Sequence, residues 1–290
     1  MTEEVLVSCA TGTVASFVIP ALLGAGFKVR ALVRNAGRAK HLARQGVSIF
    51  ECDLGLPRSI KGAFEGIQRA IIIVPPGPQA PQMASSALWA ARSSGIRHVI
   101  RLSAFGASHD APTVNSRMHA LSDEEIRNSA IEFTILKPNF FMQNLLGASK
   151  SITESQAIYM PLAQGRIGMI DVADIGAIAA HLLCTSGHEG KTYTLTGPSS
   201  ISMEEVAGTF SNVFKKRIKY HSVSMEIADQ TLAASGLEEF TRTVMCDYFD
   251  AYSRDWGAVV TNDLPLLLGR SARSIQDFAL NISPRFVSNP

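Results

Sequence analysis

Three polar residues near the middle of the chain have side chains and a spacing suited to acid–base chemistry. Ser103 directly follows an apolar strand segment, and His119 and Asp123 are four residues apart in a segment of helical character. That spacing puts the imidazole and the carboxylate on one face of a helix, one turn apart. An imidazole oriented by a carboxylate can donate a proton to a reacting group, although His119 could equally bond a neighbouring loop. No tyrosine precedes Tyr159, so a tyrosine proton donor is missing from this half of the chain.

A phosphate-binding turn is predicted near the start of the chain. Residues 5–8 form a short apolar strand, residues 9–15 form a tight turn, and a helical repeat of apolar residues follows. In a dinucleotide-binding fold this turn carries glycines, and the pyrophosphate sits at the helix N-terminus. Gly12 occupies one of the three glycine positions, whereas Cys9 and Ala15 occupy the other two. Cys9 has three possible interpretations: a small buried residue, a sign of weakened cofactor binding, or a reactive thiol. A cysteine at this position destabilises the turn by about 1–2 kcal/mol only if its φ is positive.

The residues after the second strand indicate which dinucleotide the turn accepts. An enzyme that uses NAD places an acidic residue there, about 20 residues after the glycine turn, to bind the ribose hydroxyls. This chain has Arg34, with Arg38 and Lys40 nearby, and a guanidinium suits a 2′-phosphate. We therefore expect NADP(H), with a plain surface role for Arg34 as the alternative. The residues expected to contact the cofactor are Thr11, Gly12, Thr13, Val14, Arg34, Asp53, Leu54 and Pro75.

The elements that must position these residues alternate between strands and helices. Apolar strands are predicted at 5–8, 27–33, 47–51, 70–74, 98–102 and 133–137, and helices at 38–45, 59–64 and 82–94. Apolar strands separated by helices predict an α/β fold with a doubly wound parallel sheet, covered on both faces. We expect a dinucleotide-binding domain over residues 1–150, with return segments near 167–197. Residues 198–290 are expected to form a smaller, mostly helical C-terminal lobe that binds substrate and closes the crevice at the strand ends.

Composition and charge exclude several classes of protein. The chain has 290 residues, 46% of them hydrophobic, and a net charge of +2, which argues against nucleic-acid binding. The four cysteines are far apart and form no C-x-x-C pair, so neither a disulfide framework nor a metal site is expected. The sequence has no signal region and no apolar run of about 20 residues, as a membrane span requires. We expect a cytoplasmic monomer or homodimer that acts on a small molecule.

Taken together, the motifs resemble the NmrA-like branch of the atypical short-chain dehydrogenases/reductases. The resemblance spans nearly the whole chain, and it rests on the order and spacing of the motifs more than on any one of them. It implies a Rossmann domain with a small C-terminal lobe and, usually, NADPH as cofactor. The motifs are ATG at 10–12, VRALVR at 29–34, CDL at 52–54, PP at 75–76, RLSAFGA at 101–107, His119, TILKPNFFMQN at 134–144, IDVADI at 170–175 and GKTYTLTGP at 190–198.

The resemblance also implies roles for individual residues. His119 aligns near a position where related enzymes use a lysine, so this chain has a different side chain at that position. The segment that begins at Pro138 is expected beside the nicotinamide and the substrate, and Lys137 and Pro138 are expected to contact the cofactor. The chain departs from the family at Cys9, where glycine is expected, and at Lys137, where arginine is commoner. The residues expected to contact substrate are Phe105, Asn139, Phe140, Phe141, Met142 and Trp256.

Three functions are compatible with these residues. The leading hypothesis is an NADPH-dependent oxidoreductase of a quinone-like, iminium or carbonyl substrate, in which Ser103 and His119 polarise or protonate the substrate. Members of the family with secondary-metabolite substrates extend this hypothesis to secondary metabolism. The first alternative is a non-redox isomerase, cyclase or dehydratase on the same scaffold, in which His119 or Asp123 does acid–base work alone. The second alternative is a regulator that senses NADP(H).

Overall fold

The computed structural model describes residues 3–286 and consists of alternating strands and helices. The strands are β1 (Glu4–Val7), β2 (Lys28–Val33), β3 (Ser48–Glu51), β4 (Arg69–Ile72), β5 (His98–Leu102), β6 (Glu132–Pro138), β7 (Ala157–Met160), β8 (Arg166–Ile167), β9 (Lys191–Leu195), β10 (Ile201–Ser202) and β11 (Lys219–Ser222). The helices are α1 (Ala15–Gly24), α2 (Lys40–Ala43), α3 (Ala80–Ser93), α4 (Val114–Arg127), α5 (Ser149–Ser155), α6 (Val172–Cys184), α7 (Met203–Phe214), α8 (Met225–Ala234), α9 (Glu239–Ser253), α10 (Asp263–Leu268) and α11 (Ile275–Ile282).

A seven-stranded sheet in the order β3-β2-β1-β4-β5-β6-β9 forms the centre of the first half of the chain. The pairings from β3 through β6 are all parallel. Every residue of β5 is buried, as expected for a strand covered on both faces, and each buried Val, Ile or Leu contributes about 1.5–3 kcal/mol. The direction of strand addition reverses between β1 and β4, and a crevice opens at the carboxyl ends of the strands at such a point. The predicted doubly wound parallel sheet is confirmed.

The chain divides into two compact units, and the division falls earlier than the sequence indicates. The first unit comprises the residues up to Ala111, Asn115–Lys137 and Ile175–Thr194. The second comprises Pro112–Val114, Pro138–Asp174 and the residues from Leu195 onward. The expected boundary at residue 150 is therefore replaced by one after Lys137. The reason is that the residues after it, among them Met142 and Leu145, pack into the core of the second unit.

The second unit is mostly helical over residues 198–290, as expected, and it also contains short strands. Its core is built around aromatic side chains such as Phe210, Phe214 and Phe278, all of which are buried. Two small two-stranded sheets accompany the helices, one of β8 with β10 and one of β7 with β11. The pairing of β7 with β11 is parallel and joins segments about sixty residues apart. Strands this short carry no periodic pattern that a sequence reading could detect.

Local sequence signals explain where several helices begin and where one is absent. A capping box begins α7: the Ser202 side chain accepts from the Glu205 N–H, and the Glu205 carboxylate accepts from the Ser202 N–H. The predicted helix at 59–64 is wrong, because only a 3-10 turn at Pro57–Ile60 forms there. Gly62 has a φ of +83°, which an α-helix does not accommodate. None of the helices within residues 3–286 combines the length and the apolar character that crossing a bilayer requires.

Candidate functional site

A cavity of about 470 Å³ opens at the carboxyl ends of β1 to β4, in the first unit. The turn after β1 supplies one wall, and the segments after β2 and β3 supply the opposite side. This is the place where an open parallel sheet binds a nucleotide. The residues that line the cavity are Cys9, Thr11, Gly12, Leu32, Val33, Arg34, Asn35, Arg38, Cys52, Asp53, Leu54, Pro75 and Met83.

Cys9 adopts the left-handed conformation that the glycine at this position normally supplies. Its φ is +49°, and for an L-residue this conformation costs about 1–2 kcal/mol. Burial raises the pKa of the Cys9 thiol to about 12, although the charge of Arg34 opposes that shift. A thiol that stays protonated is a poor nucleophile. The structure therefore supports a strained, small, partly buried residue at Cys9 and weighs against a reactive thiol.

The backbone after Cys9 is shaped to receive an anion. The Gly12 N–H donates to the Cys9 carbonyl at 2.9 Å, so this N–H closes the turn and does not face a ligand. A Cβ at Gly12 would lie 3.1 Å from the same carbonyl oxygen, so the turn has little room for a side chain there. Within residues 3–286 no backbone acceptor pairs with the N–H of Thr13 or Val14. Unpaired N–H groups at the start of α1 bind phosphate oxygens well.

The opposite side of the cavity presents two arginines and no acid at the end of β2. Arg34 and Arg38 both line the cavity and both are exposed. The Asn35 side chain accepts a hydrogen bond from the Arg38 backbone at 3.3 Å, which fixes the local turn. Asp53 Oδ1 accepts from the Gly55 N–H at 2.8 Å, so that carboxylate is held by its own loop. The Glu51 carboxylate likewise accepts from the Ala36 N–H at 2.7 Å, so both nearby acids are held by the backbone. Two guanidinium groups at this position fit a 2′-phosphate better than free ribose hydroxyls.

The structure brings together most, but not all, of the residues expected to contact the cofactor. Thr13 and Val14 lie at the start of the first helix, next to the cavity-lining Gly12. Lys137 and Pro138 do not line the cavity, and Lys137 belongs to a charged cluster described below. The expected residues that do line it are Thr11, Gly12, Arg34, Asp53, Leu54 and Pro75.

A second group of polar residues follows β5 in the same unit, and we call it the Asp123 cluster: Arg101, Ser103, His119, Asp123 and Lys137. Arg101 Nε donates to Asp123 Oδ1 at 3.1 Å, and the Ser103 hydroxyl donates to Asp123 Oδ2 at 2.7 Å. Lys137 Nζ lies 3.6 Å from Asp123 Oδ2 and donates to the Ala107 carbonyl at 2.7 Å. Arg101, Ser103 and Asp123 are buried. The Asp123 carboxylate therefore contacts Arg101, Ser103 and Lys137 and joins them in one network of hydrogen bonds and ion pairs.

His119 is attached to this cluster through Arg101, and no hydrogen bond joins it to Asp123 within residues 3–286, contrary to the expected imidazole–carboxylate pair. Arg101 Nη2 lies 3.1 Å from His119 Nδ1. A guanidinium has no acceptor, so Nδ1 accepts and Nε2 carries the hydrogen. Burial is the main cause that lowers the pKa of His119 to about 3, and the charges of Arg101 and Lys137 add to it. His119 is thus a neutral hydrogen-bond donor at physiological pH and a weak proton donor.

Arg101 is the functional residue that sequence reasoning missed. It bridges His119 and Asp123, and its Nη1 is buried without a hydrogen-bond partner within the described part of the chain. Burial lowers the pKa of Arg101, and Asp123 opposes that shift, but a guanidinium stays charged in a protein. A signal was available in the sequence, because Arg101 is a charged residue between the apolar Ile100 and Leu102 of a predicted strand, and buried charges need partners.

The residues expected to contact substrate fall in both units. Phe105 is buried in the first unit, and its carbonyl accepts from Ser116 Oγ. The others lie in the second unit, where the rings of Phe140 and Trp256 both contact Tyr252.

Asn139 and Met142, which flank Phe140 and Phe141 in the sequence, have structural contacts of their own. Asn139 is buried and donates to the Gly257 carbonyl at 2.9 Å, while its Oδ1 accepts from the Phe140 N–H. Met142 is buried in the core of the second unit, and Phe141 forms a β-bridge with Ile170. The side chains of Asn139 and Met142 are therefore already in contact with residues of their own unit.

Within residues 3–286 no group of three or more histidine, cysteine, aspartate or glutamate side chains is arranged to hold a metal ion.

Comparisons with known proteins agree with this geometry. A family model described as "NmrA-like family" matches residues 1–259. The chain is 33% identical to an NAD(P)H azoreductase of Xenophilus azovorans over 275 residues, which cover 95% of this chain and 96% of the relative. It is 25% identical to quinone oxidoreductase 2 of Escherichia coli, covering 84% of this chain and 86% of the relative. The structure of a Citrobacter sp. triphenylmethane reductase complexed with NADP(H) superposes with a TM-score of 0.86 at 25% identity, covering 97% and 99% of the two chains.

Proposed function

Because this chain belongs to the NmrA-like family, we propose that this NADPH-dependent reductase transfers a hydride to a small conjugated acceptor, a quinone or an azo compound. The expected family, the Rossmann-type fold and the choice of NADP(H) as cofactor are confirmed. The azoreductase and the quinone oxidoreductase among the relatives support this class of acceptor.

One observation carries the proposal: a phosphate-binding cavity and a buried polar cluster occupy the same edge of one sheet. The cavity follows β1 to β4, and the Asp123 cluster follows β5 and ends on β6. In parallel strands the carboxyl ends lie at a common edge, where cofactor and substrate meet in this class of fold. This arrangement supports a reaction between a dinucleotide and a small molecule at that edge.

Each residue of the proposed site has a separate role in binding the cofactor or polarising the substrate. The N–H groups of Thr13 and Val14 bind the pyrophosphate, and Arg34 with Arg38 binds the 2′-phosphate. When bound, NADPH supplies the hydride. His119 donates its Nε2 hydrogen bond to the acceptor atom that gains charge, which polarises the substrate without giving up a proton. Ser103 directs its hydrogen at Asp123, so toward a substrate it offers only lone pairs and serves to keep Asp123 in place.

The test is NADPH oxidation by the purified protein in the presence of a quinone or an azo dye. We expect turnover of at least one of them, and a fall in kcat of about tenfold to a hundredfold for His119→Phe, which removes the donated hydrogen bond. His119→Gln keeps a donor and should retain part of the activity. A surface control, His109→Gln, changes an exposed histidine paired with Glu124 and should leave kcat unchanged. Full activity in His119→Phe would contradict the role given to the imidazole.

The two alternative functions become outcomes of the same experiment. The non-redox hypothesis rests on Cys9 and on the missing tyrosine, and the first ground is weakened because Cys9 has the positive φ of a glycine in such a turn. The regulator hypothesis predicts NADPH binding without turnover of any acceptor. Absence of NADPH oxidation with every quinone and azo dye, despite tight NADPH binding, would contradict the proposed reaction.

Phe105 and the aromatic group of Phe140 and Trp256 are proposed to contact an aromatic acceptor through their rings. The four cysteines are all free thiols, which supports the proposal of a reducing compartment such as the cytoplasm. A monomer or a homodimer is proposed, and sedimentation of the purified protein distinguishes them.

A further inference from the structure

The Asp123 cluster carries an excess of positive charge. Among its described members, Arg101 and Lys137 are cations and Asp123 is the anion, while His119 is neutral. A further acid whose charge acts on Arg101 is Glu125. Glu125 is an exposed residue of α4 whose carboxylate accepts from Ser85, so solvent screens its charge. One positive charge therefore remains uncompensated at a largely buried place.

The effect of this excess reaches His119. Arg101 and Lys137 both oppose protonation of His119, and Asp123 is not among the groups that favour it. Asp123 Oδ1 accepts from Arg101, and Oδ2 accepts from Ser103 and faces Lys137 Nζ at 3.6 Å. Within the described residues, Nη1 of Arg101 has no hydrogen-bond partner. At the imidazole the two cations therefore outweigh the one anion. A group that hydrogen-bonds to His119 Nε2 experiences this positive potential.

Hydride acceptors fall into two classes by charge. A neutral quinone that accepts a hydride, with its electron pair, becomes the hydroquinone monoanion, and a proton from solvent then completes the hydroquinone. An azo compound likewise becomes a hydrazide anion. A cationic acceptor, such as an iminium ion or a triarylmethyl dye, becomes neutral when it accepts the hydride. Positive potential stabilises the transition state of the first class and repels the ground state of the second.

We propose that the uncompensated charge of Arg101 and Lys137 makes this enzyme selective for neutral acceptors that become anions, over cationic acceptors. The inference rests on the proposed function and adds to it a substrate class that excludes iminium ions and cationic dyes. Lys137 is the specificity-determining residue in this proposal, because Asp123 compensates only one of the two cations.

The first test measures the charge of the site without any turnover. The probe is 4-nitrophenol, whose phenol and phenolate forms differ in visible absorption. We expect the wild-type protein to bind the phenolate about tenfold more tightly than the phenol, which lowers the apparent pKa of the bound probe by about one unit. Lys137→Gln keeps an N–H donor for the Ala107 carbonyl but removes the charge, and it should abolish most of this shift. Lys137→Arg is the matched control that keeps the charge and the shift.

The second test compares two acceptors in the holoenzyme, a neutral naphthoquinone and a cationic triarylmethane dye. Because these molecules differ in intrinsic reactivity, the quantity measured is the change in the ratio of their kcat/KM values. We expect Lys137→Gln to lower the quinone-to-dye ratio by about tenfold or more, and Lys137→Arg to preserve it. A thermal melt of each variant confirms that it is folded.

The outcomes separate this inference from the proposed function. If the wild type oxidises NADPH with neither of these acceptors and with no azo dye, the proposed function is wrong, and the proposed selectivity is wrong with it. If both acceptors are reduced but the ratio is the same in Lys137→Gln, the selectivity alone is wrong. The inference is also wrong if the wild-type protein binds the phenol and the phenolate forms of 4-nitrophenol equally tightly, or binds neither form. This holds regardless of the rates measured with the two acceptors.

Discussion

Arg34 gives the most direct prediction about cofactor choice. Arg34→Ala removes one of the two guanidinium groups that face the cavity beyond β2. NADH lacks the 2′-phosphate that these groups are proposed to bind, so only the affinity for NADPH should fall. The same change should leave NADH binding within about twofold, because the nearby Glu51 and Asp53 carboxylates are held by backbone N–H groups and are not released by the loss of Arg34.

The size of the effect follows from the exposure of the two arginines. A hydrogen bond to a charged group contributes about 1.5–3 kcal/mol. Arg34 and Arg38 are both exposed, so salt screens each contact and the lower end applies. About 1.5 kcal/mol corresponds to roughly a tenfold weaker Kd for NADPH. The double variant Arg34→Ala, Arg38→Ala should lose about a hundredfold, since the two contacts act on one phosphate.

The assay is calorimetric titration with NADPH and with NADH at low and at high salt. Arg44→Ala serves as the matched control, because Arg44 is an exposed arginine of the same region that does not line the cavity. We expect the control to bind NADPH like the wild type, and we expect added salt to weaken NADPH binding more than NADH binding. An NADPH preference that survives in the double variant would refute the assignment of the phosphate site.

Three further predictions concern stability. Cys9→Gly should be more stable toward urea than Cys9→Ala by about 1 kcal/mol, because both lose the sulfur and only glycine relieves the positive φ; the opposite order would show that Cys9 is unstrained. The pKa of His119 lies at about 3 in the folded chain against 6.5 ordinarily, so below pH 6.5 the unfolded chain binds a proton that the folded chain does not. Stability should fall toward pH 3 by up to about 1.4 kcal/mol per pH unit from this group, and urea titrations at pH 7 and pH 5 should show a smaller loss for His119→Gln. Asp174 is fully buried between Arg270 and Arg273, so Asp174→Ala should cost about 2 kcal/mol in the same assay; an unchanged midpoint would mean that these pairs contribute nothing.

The parallel sheet could be predicted because strands that are buried on both faces consist mainly of apolar residues, and such runs are visible in the sequence. Segments such as Val5–Val7 of β1 and Ala70–Ile72 of β4 are continuously apolar, which is the pattern of a strand covered on both faces. The turn at Gly12 and the capping box at Ser202 could be predicted as well, because each depends on residues within a few positions of one another. Local chemistry of this kind is visible in a sequence without knowledge of the fold.

The Asp123 cluster could be predicted only in part. The spacing of His119 and Asp123 indicates a shared helix face, but Arg101 on β5 and Lys137 on β6 reach the same carboxylate from elements distant in the sequence. Their convergence depends on the order of the strands and on side-chain direction, and no local pattern records either one. The same reason explains why the imidazole bonds a guanidinium, and why Lys137 belongs to this cluster and does not line the cofactor cavity.

The pH dependence of quinone reduction tests the central claim, that His119 acts as a neutral hydrogen-bond donor held by Arg101. The measurement is kcat for a neutral quinone at saturating NADPH between about pH 5.5 and pH 8, in the wild type and in His119→Gln. We predict a flat profile for the wild type, because an imidazole whose pKa is about 3 does not titrate in this range, and a lower flat profile for the variant. A wild-type rate that falls with an apparent pKa near that of an ordinary histidine, and a variant without that fall, would contradict the claim and make His119 the proton donor.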